Sequence, residues 1–348
     1  MRAILCDGYG APADVLRVGD VDEPHLADDA VLVEVHAASV NPADCHLIRG
    51  LPRIARLSVG LRGPGFTVPG SDFAGRVTAV GANVTTVSVG DEVFGTTFLR
   101  GFGAFAERVA VPESLVARKP ANVSYDAAAA IPLAATTALQ GLRDHGRLRA
   151  GQRVLVVGAS GGVGTFAVQL AKTMGAYVTG VCGARNVPLV RSLGADDVVD
   201  YTSAQRWDEG GPYDLILQLG GTASASALRR LLTREGTLVQ LSGDSGNRWT
   251  GPLGRVAAGA FLSRFVSQTI TTYTVRPHRE DLEHLARLAA DGSLRPVIDT
   301  TYALAGVADA IGHVERGHTR GKVVVDVRTP GGDANVRAAA TLVPTRDE

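Results

Sequence analysis

The stretch that most limits what this chain can fold into is residues 152–164, QRVLVVGASGGVG, with TFAVQLAKTMGA behind it. An apolar run from Val154 to Val157 stops at Gly158, Gly161, Gly162 and Gly164 follow, and an amphipathic segment begins. Strand, tight glycine turn and helix in that order open a βαβ unit that binds a dinucleotide. Gly161 and Gly162 let the backbone turn and approach a pyrophosphate with no Cβ in the way, while Gly164 lets the new helix lie close to the strand. Ser160 and Val163 complete the turn, and the free N–H groups at the helix start face the phosphates. The strict G-x-G-x-x-G spacing is not met, because Ala159 stands where its first glycine belongs. A second strand, predicted over Tyr177 to Cys182, gives the motif its context.

A chain of 348 residues is longer than one typical domain, and two domains are expected. Lys plus Arg equals Asp plus Glu at 35 each, so net charge points to neither nucleic acid nor an anionic membrane. Cys6, Cys45 and Cys182 are odd in number and far apart, which argues against a disulfide framework and against a four-cysteine zinc site. The start, MRAILCDGYG, lacks the basic and long apolar regions of a signal peptide, and no window reaches the roughly 18 apolar residues of a membrane span. A soluble, cytoplasmic protein is the expectation.

From Met1 to about Val111, short β-type runs alternate with Gly, Pro and Asp turns, as in a small, curved all-β unit. Strands are expected at Ala30–Ala37, Gly75–Val80, Asp91–Phe94 and Phe105–Val111, interrupted by a basic and apolar loop, 51–68, of the kind that walls or covers a pocket. Ser124 is the expected N-cap of the run YDAAAAIPLAATTALQGL. Beyond it the pattern predicts strand 176–182, helix 187–193, strands 197–200 and 214–219, helix 222–233 and strand 236–242, a parallel sheet covered on both faces. Residues 248–266 read as an apolar insertion and Gln268–Val275 as a β-rich run. Helix 279–290, strand 297–302, helix 305–316 and strand 322–327 then return the chain to its first domain. The tail from Thr329 has no periodicity and is expected to be mobile.

Several separate strings now point one way: VNPAD (Val40–Asp44), PGSDFAGRVTAVG (Pro69–Gly81), GDEVFG, GAFAERVAVP, TTALQGL, the glycine turn, LGADDVVDYT and RGKVVVDV (Arg320–Val327). Together they resemble the medium-chain dehydrogenase/reductases, and within them the zinc-independent branch of quinone, enone and enoyl reductases. The resemblance covers roughly residues 1–328 in the expected order. It implies an α/β fold in which a GroES-like β domain (1–122 plus 277–328) is split around an inserted Rossmann doubly wound parallel sheet domain (123–276), with the active site in the cleft between them.

The resemblance also addresses the metal. Asn41 stands where the zinc-dependent alcohol dehydrogenases place a ligating Cys, and Ser71 stands where their G-H-E motif places a ligating His. Neither competes for zinc, which prefers thiolate and imidazole. The lobe that would hold a structural zinc, FGTTFLRGFGAF, has no cysteine. No metal is expected.

An NAD-specific site needs a carboxylate about 20 residues past the glycine turn, at the end of the second strand. Cys182, Gly183 and Ala184 stand there, and Arg185 follows, a guanidinium suited to a ribose 2′-phosphate. The resemblance adds Tyr201 to that pocket, places Thr137, Ser242 and Gly243 beside the nicotinamide, and places Lys322 near the cofactor. NADPH is the expected cofactor.

The expected reaction is hydride transfer to a quinone or to the C=C bond of an α,β-unsaturated carbonyl, in which the cofactor carries the chemistry. Asn41 sits where the family faces nicotinamide and substrate, its amide a candidate donor to the developing enolate. His46, at a position resembling a pocket Tyr of several relatives, is a candidate proton donor. Two alternatives stand beside this reading: a biosynthetic reductase or cyclase whose loops 51–68 and 248–266 wrap a larger substrate, and an NADPH-binding sensor with incidental activity. The neutral charge and the lack of a basic stripe weigh against a nucleic-acid-associated protein. A homodimer through the edge of the Rossmann sheet, at Gln268–Val275, is expected.

Overall fold

The alternating runs of the first third of the chain fold as antiparallel strands, and β-type residues are buried along most of their length on both faces. The computed structural model describes residues 1–203, 211–241 and 266–328, positions 249, 254, 259 and 263, and the backbone of 337–338. β1 (Arg2–Cys6) and β2 (Leu16–Asp20) form a two-stranded ribbon. β3 (Ala30–Val40), β4 (Asp72–Val80), β5 (Glu92–Thr96), β6 (Arg108–Pro112) and β7 (Val116–Arg118) build the main sheet of this lobe. Register shifts between Leu32 and Val33, and again between Val35 and Ala37, let β3 bend against β4.

The second sheet is parallel: β8 (Arg153–Val157), β9 (Tyr177–Cys182), β10 (Asp197–Asp200), β11 (Tyr213–Gln218), β12 (Leu232–Gln240) and β13 (Thr269–Thr271), ordered β10-β9-β8-β11-β12-β13. This is the doubly wound order, with the switch point beside β8. Val154 to Val157 are all buried, as a strand covered on both faces requires. β14 (Ile298–Ala303) and β15 (Lys322–Asp326) then join the first sheet, β15 lying antiparallel to β3. β16 (Arg337–Ala338) pairs with β14, so part of the tail is a strand and not a free end; its other residues lie outside the described ones.

Two further expectations change. Residues 222–233 are not one helix: Ser224 caps a single turn, Ala225–Leu228, a 3-10 turn follows over Arg229–Leu231, and β12 starts at Leu232. Leu228, Leu231 and Leu232 are drawn into one apolar cluster with Tyr213 and Ile216, and that burial overrides helical propensity. The stretch 51–68 is not plain loop, since Arg53–Ala55 is a 3-10 turn and Arg56–Val59 a short helix.

The run after Ser124 breaks at Pro132, which has no N–H to give and starts a new helix instead. The helix Tyr125–Ala129 packs on β3 and β4, and the helix Pro132–Gln140 packs on the helix Gly162–Thr173 that follows the glycine turn. Ala128, Ala129, Ala135 and Ala138 are fully buried, and their small side chains let one apolar cluster run from Ala37, Ala74 and Phe94 through to Phe166 and Leu170. The seam between the two sheets is therefore part of the core.

Candidate active site

At the end of β3 the chain leaves the sheet at Asn41 and enters the helix Pro42–Arg49, whose first turn carries Asp44. The Asp44 carboxylate accepts from the Asn41 backbone N–H at 2.8 Å and from the Ser71 hydroxyl at 2.9 Å. Asn41 Nδ2 donates to Asp72 Oδ2 at 3.0 Å, and Asp72, at the start of β4, also accepts from the Leu133 N–H at 3.2 Å. Lys322, the first residue of β15, sends its ammonium into the same space, donating to Asn41 Oδ1 at 2.6 Å and Val40 O at 3.2 Å, with Asp72 Oδ2 at 3.9 Å. All five side chains are buried, Lys322 being 3% exposed.

A buried ammonium between two buried carboxylates leaves one negative charge too many for a dry site. Burial, reinforced by Asp72, pushes the Asp44 carboxyl up to about 7, against its bonds from Asn41 and Ser71. Burial also raises Asp72, with the Lys322 charge working against it, and lowers Lys322, with Asp72 opposing. Asp44 thus keeps its proton through mildly acidic pH while Asp72 pairs with Lys322.

Lys322 is no surface charge. The preceding Gly321 bridges to Gly161, its N–H donates to Ser160 O at 2.9 Å, and a Cβ on Gly162 would come 3.2 Å from Lys322 Cδ. The glycine turn of one sheet therefore lies against the buried cluster of the other. In the turn itself a Cβ on Gly164 would meet Gly158 O at 2.1 Å, so only glycine fits, whereas Gly161 has nothing nearer than 3.5 Å. The helix that starts at Gly162 leaves the N–H groups of Gly162, Val163 and Gly164 without intrahelical acceptors.

At the end of β9, Gly183 opens a 3-10 turn over Ala184–Asn186 that exposes Arg185. A Cβ on Gly183 would lie 3.4 Å from the Tyr201 hydroxyl, so Tyr201 sits against the turn on which Arg185 is exposed. Asn186, which the sequence reading missed, donates from Nδ2 to Ser160 Oγ at 3.0 Å and ties this turn to the glycine turn. No carboxylate stands at 183–186. Helix N–H groups, a cradle without side chains and a cation at its rim fit a dinucleotide that carries a ribose phosphate.

Thr137 sits one turn beyond Leu133 and donates to the Leu133 carbonyl at 2.7 Å, while its own carbonyl accepts from the Tyr273 hydroxyl. His46 is exposed on the 42–49 helix, outside the buried cluster. Ser242 and Gly243 lie outside the described residues. Asp44, Ser71 and Asp72 stand within the sequence motifs, but nothing in a motif tells which carboxylate meets a lysine so far away in sequence.

The architecture coincides with that of known proteins. Residues 27–121 match the alcohol dehydrogenase GroES-like domain, and residues 193–325 match the zinc-binding dehydrogenase domain. The chain is 31% identical over 335 residues to the chloroplast envelope quinone oxidoreductase homolog of Arabidopsis thaliana, covering 94% of this chain and 98% of that protein. The chain belongs to the medium-chain dehydrogenase/reductase superfamily, in its quinone oxidoreductase-like branch. A second member, the NADPH-dependent alkenal/one oxidoreductase of Arabidopsis thaliana chloroplasts, is 33% identical over 336 residues, covering 93% of this chain and 79% of that one. Among solved structures, the quinone oxidoreductase of Coxiella burnetii superposes with a TM-score of 0.83 at 28% identity, covering 94% of this chain and 99% of that one.

Membership makes the chain an oxidoreductase and brings the metal question to a point. Asn41 and Ser71, an amide and a hydroxyl, are already engaged by Lys322, Asp72 and Asp44. That donor set does not suit zinc. The names of the two plant relatives place them in chloroplasts, so they lend no support to a cytoplasmic location. Among the described residues no helix is long and apolar enough to cross a membrane.

Proposed function

We propose that this protein is a zinc-independent, NADPH-dependent reductase that delivers hydride to a quinone or to the C=C bond of an α,β-unsaturated carbonyl. The observation that carries the reading is the buried cluster at the family's metal position, where Lys322 holds Asn41 and Asp72 together. Bound NADPH supplies the hydride, and the chain's residues hold and orient it. The N–H groups of Gly162, Val163 and Gly164 take the pyrophosphate, and Arg185 with Tyr201 takes the 2′-phosphate. Lys322 and Asp72 fix the orientation of the Asn41 amide: its oxygen faces the ammonium and one N–H faces the carboxylate. The second N–H is the group this chain offers to charge developing on a substrate carbonyl.

The domain limits we propose are 1–122 with 277–328, and 123–276. A cytoplasmic homodimer joined along β13, the end strand of the parallel sheet, is the proposed form; the free, buried Cys6, Cys45 and Cys182 suit a reducing compartment. Following NADPH absorbance with a panel of quinones, enones and enoyl thioesters tests the reaction. Oxidation with quinones or enones is the expected result, and tight NADPH binding without oxidation of any panel member would point to a sensor.

A further inference from the structure

The segment 51–62 is turned inside out. Arg56 points inward, donating from Nε to Gly50 O at 2.9 Å, with its guanidinium 4.4 Å from the Tyr9 ring centroid. The Tyr9 hydroxyl in turn donates to Gly60 O at 2.7 Å. Arg53 lies 4.6 Å from the Trp249 ring centroid, and the Ile54 N–H donates to Trp249 O at 3.1 Å. Polar groups thus anchor the segment, while Leu57 and Leu61 face water at 75% and 69% exposure.

The neighbouring loop behaves alike. Phe66, four residues past this segment, packs on Phe102 with centroids 4.8 Å apart, and on the loop of Phe102 Leu99 and Arg100 are exposed. Single exposed leucines are ordinary, but several on adjoining loops mark a contact surface. Its charge is one-sided too. Between Asp44 and Asp72 there is no acidic residue, yet Arg49, Arg53, Arg56 and Arg62 fall there, in a chain of zero net charge. Arg49 is paired with Glu315, whereas Arg62 and Arg100 have no ion pair among the described residues.

What covers such a surface must be anionic and must also take up leucine and tryptophan side chains. A second copy docked face to face would bring the same arginines and repel. A bilayer with anionic headgroups meets both demands, since leucines and tryptophan enter the headgroup boundary while arginines reach the phosphates. We propose that residues 51–62, with Leu99, Arg100 and Trp249, form a docking surface through which the protein sits peripherally on an anionic lipid bilayer.

Co-sedimentation of the full-length protein with vesicles, of phosphatidylcholine alone or mixed with phosphatidylserine, tests the proposal without involving hydride transfer. Binding to the mixed vesicles at low salt is expected, falling as salt is added. Arg62→Ala and Arg100→Ala should each weaken binding about fivefold. Leu57→Ser with Leu61→Ser should abolish it at an unchanged thermal midpoint, as these side chains are exposed. Binding to neither vesicle, equal binding to both, or full binding by the Arg62→Ala/Arg100→Ala double variant overturns the proposal and leaves the reaction untouched.

Discussion

Lys322, at the start of β15 in the first sheet, donates a 2.6 Å hydrogen bond to Asn41, the residue that stands where zinc-dependent members of the superfamily hold a metal ligand. The bond joins positions 281 residues apart, and the lysine is flanked by Gly321, which bridges to the glycine turn at Gly161. One buried cation thus braces both the place where substrate is expected and the place where the cofactor's phosphates are expected.

Removing that cation leaves Asp72 buried without its partner. Lys322→Met should cost about 3–5 kcal/mol in urea unfolding, the usual cost of breaking one side of a buried pair. Adding Asp72→Asn should recover part of the loss, because the orphaned charge goes with it. Wild-type stability in Lys322→Met would show that the pair is not formed.

Asp44 gives the protein a pH signature. Its carboxyl is raised in the folded state, to about 7, so between the usual carboxylate range and that value the folded protein binds the extra proton. Stability from this group is therefore full at low pH and is lost as pH rises through about 7. Asp44→Asn, which cannot ionise, should gain steadily on wild type as pH rises from the usual carboxylate range to about 7, and the difference should level off above that. Thermal midpoints of both proteins across that range check the sign; a constant difference would place no titrating proton on Asp44.

Much of the fold was legible because the glycine turn, the β-type runs and the helix 279–290 are local patterns. The helix 279–290 forms at the expected residues, with apolar Leu282 and Leu285 on its buried face. The misreadings came where tertiary burial overrode local propensity, as at Leu231 and Leu232, or where one residue broke a run, as at Pro132. In the proposed site, Gly183 and Arg185 follow from the spacing past the glycine turn and Tyr201 from the family resemblance, and the fold sets Gly183 beside Tyr201. The carboxylates of Asp44 and Asp72 were not legible, since only the folded sheet brings them to Lys322.

The cofactor preference rests on the turn at 183–186. Arg185→Ala should lower the NADPH-over-NADH ratio of kcat/KM by about 10- to 100-fold, the worth of a charge-assisted hydrogen bond. NADH kinetics should change little, because NADH has no 2′-phosphate to lose. An unchanged ratio would remove Arg185 from the site.

Two glycines of one turn should fail in different ways. Gly164→Ala drives a Cβ to 2.1 Å from Gly158 O, so the turn or the helix must move and the protein should be strongly destabilised. Gly161→Ala has 3.5 Å of room and should fold at near wild-type stability, but its methyl meets the approaching pyrophosphate and should raise KM for NADPH. Unfolding curves and steady-state kinetics on the two variants separate the effects.

The central claim is tested most directly by following the hydride itself. After dialysis against a metal chelator, the protein is given NADPH carrying deuterium at both C4 positions and an α,β-unsaturated ketone, and the product is examined by mass spectrometry. The account predicts a saturated ketone carrying one deuterium at its β-carbon, formed at the undialysed rate. No labelled product, or product that returns only when zinc is added back, would contradict it.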